Sequence, residues 1–261
     1  MERPALHFCH ANGFPAKSYG VLLDKLSQTF DVSYLDMHGH QLHYPVTDNW
    51  PHLVDELIDE ISSLHQSPII AVGHSMGGAL IYMAARKQPE LFKQIILLDP
   101  PLLDSLTAFV IGVAKRFNFI DRITPAGRTN GRQELFDDHD HAFEYFSNKS
   151  LFKQADPRCL QDYIHHGTQV HEKGLKLKYA AHTEVAIYRT LPHKIPNHKQ
   201  PLAVPATLVY GESSDVIRPA LVKQMQTRVG MNVLKVKGGH LFPFEFPEQT
   251  AHDIEQIVEA L

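Results

Sequence analysis

Gly73-His74-Ser75-Met76-Gly77 sets a serine between two glycines, where the apolar run PIIAVG gives way to a helix-like stretch. A serine on a tight strand-to-helix turn lifts its hydroxyl above a sheet, and so sharp a backbone leaves room beside it only for residues without Cβ. The following helix offers free N–H groups and a positive dipole end, which suit the oxyanion formed when a hydroxyl attacks a carbonyl. A serine hydroxyl is a weak nucleophile by itself, so this chemistry needs a histidine base and a carboxylate that orients it. His240 follows MNVLKVKGG and Asp215 follows ATLVYGESS. Each lies just past a strand-like run, at the carboxyl edge where ligands collect in open α/β sheets. The spacing therefore predicts Ser75 as nucleophile, His240 as base and Asp215 as the acid. Two histidine-rich runs invite a metal reading, His38-x-His40-x-x-His43 and Asp137-Asp138-His139-Asp140-His141. The first lacks an acidic residue before its last histidine, and the second reads as a solvated charged face. No metal and no organic cofactor is expected.

The elements that must position these residues follow a βα rhythm. Strands are predicted at Pro4 to His10, Phe30 to Met37, Pro68 to Gly73, the run ending at Asp99, Ala206 to Glu212 and Met231 to Gly238. Helices are predicted over Ala16 to Gln28, from Pro51 to Leu64 with Asp48 as N-cap, from Ser75 to about Lys87, from Pro219 to Arg228 and from Pro247 to Leu261. Continuous apolar strands alternating with helices imply an α/β fold with a mostly parallel, doubly wound sheet. Between Asp99 and Ala206 the rhythm stops, no buried strand is evident, and the segment reads as helical. The expected organisation is a core of residues 1–101 and 202–261 with a helical cap inserted over 102–201. Phe109, Phe117, Phe143, Phe146 and Phe152 are expected to build the cap's own small core.

Composition narrows the function classes. The chain has 261 residues, 43% hydrophobic and 21% charged, with 25 Lys and Arg against 29 Asp and Glu. A net charge of −4 offers no electrostatic footprint for a nucleic acid or an anionic membrane. The first twenty residues hold no signal-peptide core, and the uncharged run from Gln66 to Ala85 carries too many polar and glycine residues at its centre to span a membrane. Two cysteines, Cys9 and Cys159, make no secretory scaffold. A cytoplasmic protein is expected, and a homodimer is compatible with the sequence.

The motifs together resemble the α/β-hydrolase superfamily: His10-Ala11-Asn12-Gly13-Phe14-Pro15 after the first strand, Asp36-Met37-His38-Gly39-His40 after the second, GHSMGG at the turn, GESSD before the acid and GGH at the base. The resemblance spans roughly residues 4 to 100 and 202 to 261. It implies a nucleophile elbow at Ser75, a triad in the chain order Ser75, Asp215, His240, with Asp99, at the end of QIILLD where some relatives carry the acid, and Glu212 as the other candidates, and an oxyanion hole built from the Met76 N–H and a second N–H from the loop after the first strand. That second donor is Phe14 or Asn12, depending on how two residues extra to the family's His-Gly pattern loop out. With the first strand at Pro4 to His10, the two leading antiparallel strands common in the family are not expected, and a sheet of six strands is. His10, His74 and Leu241, beside these loops, are expected at the substrate. The implied activity is hydrolysis of a small-molecule carboxylic ester, carboxylesterase- or lipase-like, through an acyl-enzyme. Thioester hydrolysis, acyl transfer and carbon–carbon bond hydrolysis share that chemistry, and a ligand-binding relative without catalysis is the reading from another class.

Overall fold

The computed structural model describes residues 3–260. Its main sheet uses β1 (Ala5–Cys9), β2 (Asp31–Tyr34), β3 (Ile69–His74) and β4 (Phe92–Leu98). Three short strands follow in the inserted segment, β5 (Leu135–Phe136), β6 (Thr168–His171) and β7 (Gly174–Leu177), before β8 (Ala206–Gly211) and β9 (Asn232–Val236) return to the main sheet. The six-stranded sheet runs β2-β1-β3-β4-β8-β9, and every pair in it is parallel. Parallel neighbours need crossover helices on both faces, so the central strands are apolar throughout. All six residues of β3 are buried, as are six of the seven in β4.

The chain winds outward from β1 in both directions. β2 lies on one side of β1 and β3 on the other, so the loops leaving β1 and β3 diverge and open a crevice at their carboxyl ends. Register sets the depth of that crevice: Cys9 pairs with Gly73 and Gly73 with Leu97, so the ends of β1, β3 and β4 are level.

Helix α1 (Gly20–Leu26) follows a short 3-10 turn, α2 (Pro51–Leu64) precedes β3, and α3 (Met76–Lys87) follows it. On α2 the apolar stripe Leu53, Leu57, Ile58 and Ile61 is buried as its spacing requires, but Leu64 is exposed. The cap of α2 is Trp50 at φ 60, not Asp48. The Trp50 indole is buried and donates to the Ile187 carbonyl at 3.1 Å, an anchor that outweighs the capping preference of the aspartate.

The inserted segment corrects the expectation of an all-helical cap. Helix α4 (Ser105–Arg116) and four further helices are accompanied by a three-stranded antiparallel sheet ordered β5-β7-β6. The Asp137–His141 run serves capping: the Asp138 carboxylate accepts from the His141 amide at 2.8 Å at the start of helix 139–147. Phe146 and Phe152 are buried as expected, whereas Phe109 and Phe117 are each 68% exposed. Phe136, Phe146, Phe152 and Tyr163 share one apolar cluster with Phe8, Tyr19 and Phe244 of the core, Tyr179 and Ile187 join the cluster on Trp50 and Leu53, and Ile111, Ala114 and Ile120 form a small cluster of their own. Cys9 and Cys159 are buried and free, and no helix among the described residues is long and apolar enough to cross a membrane.

Candidate active site

Ser75 stands between β3 and α3 at φ 52 and ψ −116, a conformation that costs a residue with a side chain on the order of 1 to 3 kcal/mol. The surroundings hold it there. A Cβ on Gly73 would lie 2.5 Å from the Gly77 carbonyl carbon, and one on Gly77 would fall on the Cys9 carbonyl oxygen. The Ser75 amide donates to the Leu98 carbonyl at 2.8 Å, which ties the turn to β4.

His240, on the loop after β9, brings Nε2 to 3.1 Å from Ser75 Oγ. Its Nδ1 lies 2.6 Å from Oδ2 of Asp99. The carboxylate beside the base is therefore Asp99, and the placement of Asp215 there is corrected: Asp215 is exposed to solvent on the loop after β8. The neighbouring residue explains the outcome. Ser214 Oγ donates to Asp99 Oδ2 at 2.5 Å and the Gly211 amide donates to Oδ1 at 3.3 Å, so the β8 loop secures the Asp99 carboxylate instead of supplying its own. Asp99 is fully buried, has φ 48, and its amide donates to the Val209 carbonyl at 2.7 Å. Glu212 is exposed, with its amide bonded to the Val236 carbonyl at 2.8 Å.

The loop after β1 closes a turn in which the Phe14 amide donates to the Ala11 carbonyl at 3.1 Å, with Gly13 at φ 83. A positive φ at the third position with a negative one before it is the pattern of a type II turn, and it demands glycine there. The Phe14 N–H is thus spent inside the turn, which corrects Phe14 as an oxyanion donor. Among the described residues no acceptor engages the amides of Asn12 or Met76. The Phe14 ring instead packs in an aromatic group with Phe152, Tyr163 and Phe244, at centroid distances of 5.7, 5.0 and 5.3 Å.

His10, His74 and Leu241, expected at the substrate, are buried. His10 Nε2 accepts from the His38 amide at 2.8 Å, and its Nδ1 lies 2.8 Å from the Ala11 carbonyl. Burial, helped by the nearby His38, pushes its pKa well below the usual histidine range. Both nitrogens of His74 likewise face protein atoms, Tyr19 Oη at 2.7 Å and the His240 carbonyl at 2.9 Å. The His38 ring contacts Cys9 Sγ at 3.2 Å and Glu56 Oε2 at 3.0 Å, and all three side chains are buried. Two groups escaped the sequence reading. Ser214 was hidden beside a more conspicuous aspartate. Glu184, in the inserted segment, presses its carboxylate against Gly13, pairs with Arg132, and has its pKa pushed up to about 7 by burial against the opposing pull of Arg132.

The model of the Alpha/beta hydrolase family matches residues 8–253. The chain belongs to that family. This hydrolase is similar to 2-(acetamidomethylene)succinate hydrolase of Mesorhizobium japonicum, 24% identical with 98% of this chain and 88% of the relative covered. A crystal structure of E-2-(acetamidomethylene)succinate hydrolase superposes with a TM-score of 0.80 at 23% identity, covering 99% of this chain and 92% of that one. A Haemophilus influenzae protein named for esterase or lipase activity is 30% identical over 101 residues, which is 38% of this chain and 35% of that protein. The chain thus spans about a third of that relative.

Proposed function

We propose that this hydrolase cleaves a carboxylic ester through a Ser75-His240-Asp99 triad and an acyl-enzyme intermediate. His240 Nε2 takes the Ser75 Oγ proton as Oγ bonds to the substrate carbonyl carbon, and the carbonyl oxygen becomes an oxyanion facing the free amides of Met76 and Asn12. The imidazolium then returns its proton to the alcohol oxygen as the carbon–oxygen bond breaks. Water, deprotonated by the same ring, releases the acid and restores Ser75. Asp99 accepts from His240 Nδ1–H throughout, which fixes the tautomer and steadies the imidazolium. The observation that carries this reading is the continuous contact from Ser75 Oγ through His240 to a fully buried Asp99.

One observation favours a second reading. One relative that covers nearly the whole chain is named for a substrate with an acetamido group, and attack on an amide carbonyl uses the same residues with an amine leaving. The test for both is one panel: p-nitrophenyl esters of graded acyl length and matched anilides, with a fluorophosphonate as covalent probe. The probe is expected to label Ser75 and abolish turnover, and Ser75→Ala to lower kcat by on the order of 10⁶. Faster cleavage of the anilides would replace the ester reading with the amide one. Full activity of the Ser75→Ala variant would remove both.

A further inference from the structure

A chain of three hydrogen bonds runs behind the triad and joins the three loops that the reaction needs. The Ala11 amide donates to Tyr19 Oη at 3.2 Å, Tyr19 Oη lies 2.7 Å from His74 Nδ1, and His74 Nε2 lies 2.9 Å from the His240 carbonyl oxygen. Ala11, Tyr19 and His74 are all buried. Ala11 immediately precedes Asn12, His74 immediately precedes Ser75, and the accepting carbonyl belongs to the base itself.

The direction of every bond follows from the two ends. A backbone amide can only donate and a carbonyl oxygen can only accept. His74 Nε2 must therefore carry hydrogen. Burial, with the neighbouring His240 as a smaller cause, pushes the His74 pKa down to about 3, so the ring is neutral and Nδ1 holds a lone pair. Tyr19 must then donate its O–H to Nδ1, which leaves its oxygen free to accept from Ala11. No member can reverse without breaking a bond at an end, and buried bonds aligned in one direction polarise one another.

We propose that Tyr19 and His74 act as positioning residues that hold the oxyanion loop, the nucleophile turn and the loop of the base in one mutual arrangement. The proposal rests on the triad reading above. The Tyr19 hydroxyl and both ring nitrogens of His74 are taken up by protein atoms. Their contribution is to keep the Asn12 amide, Ser75 Oγ and His240 Nε2 in register, and a misplacement by even 1 Å there is worth up to on the order of 100-fold in rate.

Removing the Tyr19 oxygen alone is the sharpest test, because Tyr19→Phe keeps the ring packing against Phe8 and Phe244. Each variant is titrated with a fluorophosphonate so that kcat is expressed per labelled Ser75. Tyr19→Phe is expected to lower kcat by roughly 10-fold or more while KM changes less than about twofold. His74→Leu is expected to lose at least as much, and His74→Gln, which keeps an N–H for the His240 carbonyl, to recover part of the loss. The double variant Tyr19→Phe with His74→Leu should be no slower than His74→Leu alone, since members of one chain do not lose independently. Per-site kcat of Tyr19→Phe within twofold of the parent overturns the proposal, as does a double variant whose loss is the product of the single losses. If Tyr19→Phe does not fold, the His74→Leu and His74→Gln pair decides: equal kcat in the two overturns it. Failure of the parent protein to react with the fluorophosphonate would instead count against the triad reading, so the two failures are distinct.

Discussion

Asp99 Oδ2 and His240 Nδ1 meet at 2.6 Å across 141 positions of chain, and Ser214 Oγ shares the same carboxylate oxygen at 2.5 Å. The carboxylate beside the imidazole follows β4, next to the strand that leads to Ser75. The loop after β8 contributes a hydroxyl that holds the carboxylate in place. Ser214→Ala should therefore slow turnover by about 10-fold, the size of one charge-assisted bond of ~1.4 kcal/mol. Loss should appear mainly in kcat, measured on a p-nitrophenyl ester. An unchanged kcat would show that Asp99 is held well enough by its backbone and by Gly211.

The free Asn12 amide makes a prediction that a side-chain substitution cannot test. Asn12 is the second residue of a type II turn, where proline fits, so Asn12→Pro removes the N–H with the turn intact. On the proposed oxyanion hole this variant loses on the order of 10² to 10³ in kcat. Asn12→Ala keeps the amide while giving up the bond from Asn12 Nδ2 to the Glu184 carbonyl, and it should lose far less. Steady-state kinetics of the pair decides the matter: equal rates would move the second donor elsewhere.

Much of this architecture is legible in the residue order. The six core strands, the Gly-Ser-Gly turn and the place of His240 after the last strand follow from apolar runs and the small residues that interrupt them, because burial and backbone sterics act locally. The carboxylate that meets His240 was less legible. Asp99 and Asp215 both follow a strand, and what separates them is burial, a positive φ at Asp99 and the hydroxyl of Ser214, none of which has a local signature. The abrupt end of QIILL at Asp99-Pro100 was the available clue. The cap strands were missed because they are two to four residues long, too short for period-two alternation to stand out. Which amide stays free in the loop after β1 depends on which carbonyl the Phe14 N–H finds, a matter of turn geometry rather than composition.

Gly77 opposes two effects of different size. Replacing a helical glycine by alanine ordinarily stabilises by about 0.5 to 1 kcal/mol. Here the added Cβ would strike the Cys9 carbonyl oxygen, which belongs to the backbone of a fully paired central strand and cannot yield. Overpacking of that kind costs ~1 to 3 kcal/mol or more, so Gly77→Ala should be destabilising. A denaturant midpoint equal to or above that of the parent would contradict the close approach of β1 to α3.

Glu184 gives stability a pH dependence. Its folded pKa, raised from 4.5 to about 7, means the folded protein holds this proton more tightly than the unfolded chain. The stabilisation is therefore complete below about pH 4.5 and is lost as pH rises through about 7. Glu184→Gln cannot titrate. The melting temperature of the variant minus that of the parent should increase between pH 5 and pH 8. A difference that stays flat over that interval would show that Arg132 keeps Glu184 ionised throughout.

The most direct measurement compares kcat/KM of Asp99→Asn and Asp215→Asn on one ester, each corrected for the fraction of protein that is folded. With Asp99 fixing the tautomer of His240, Asp99→Asn should fall by about 10⁴ and Asp215→Asn should stay close to the parent. A collapse in Asp215→Asn with Asp99→Asn nearly unaffected would contradict the triad proposed for this hydrolase.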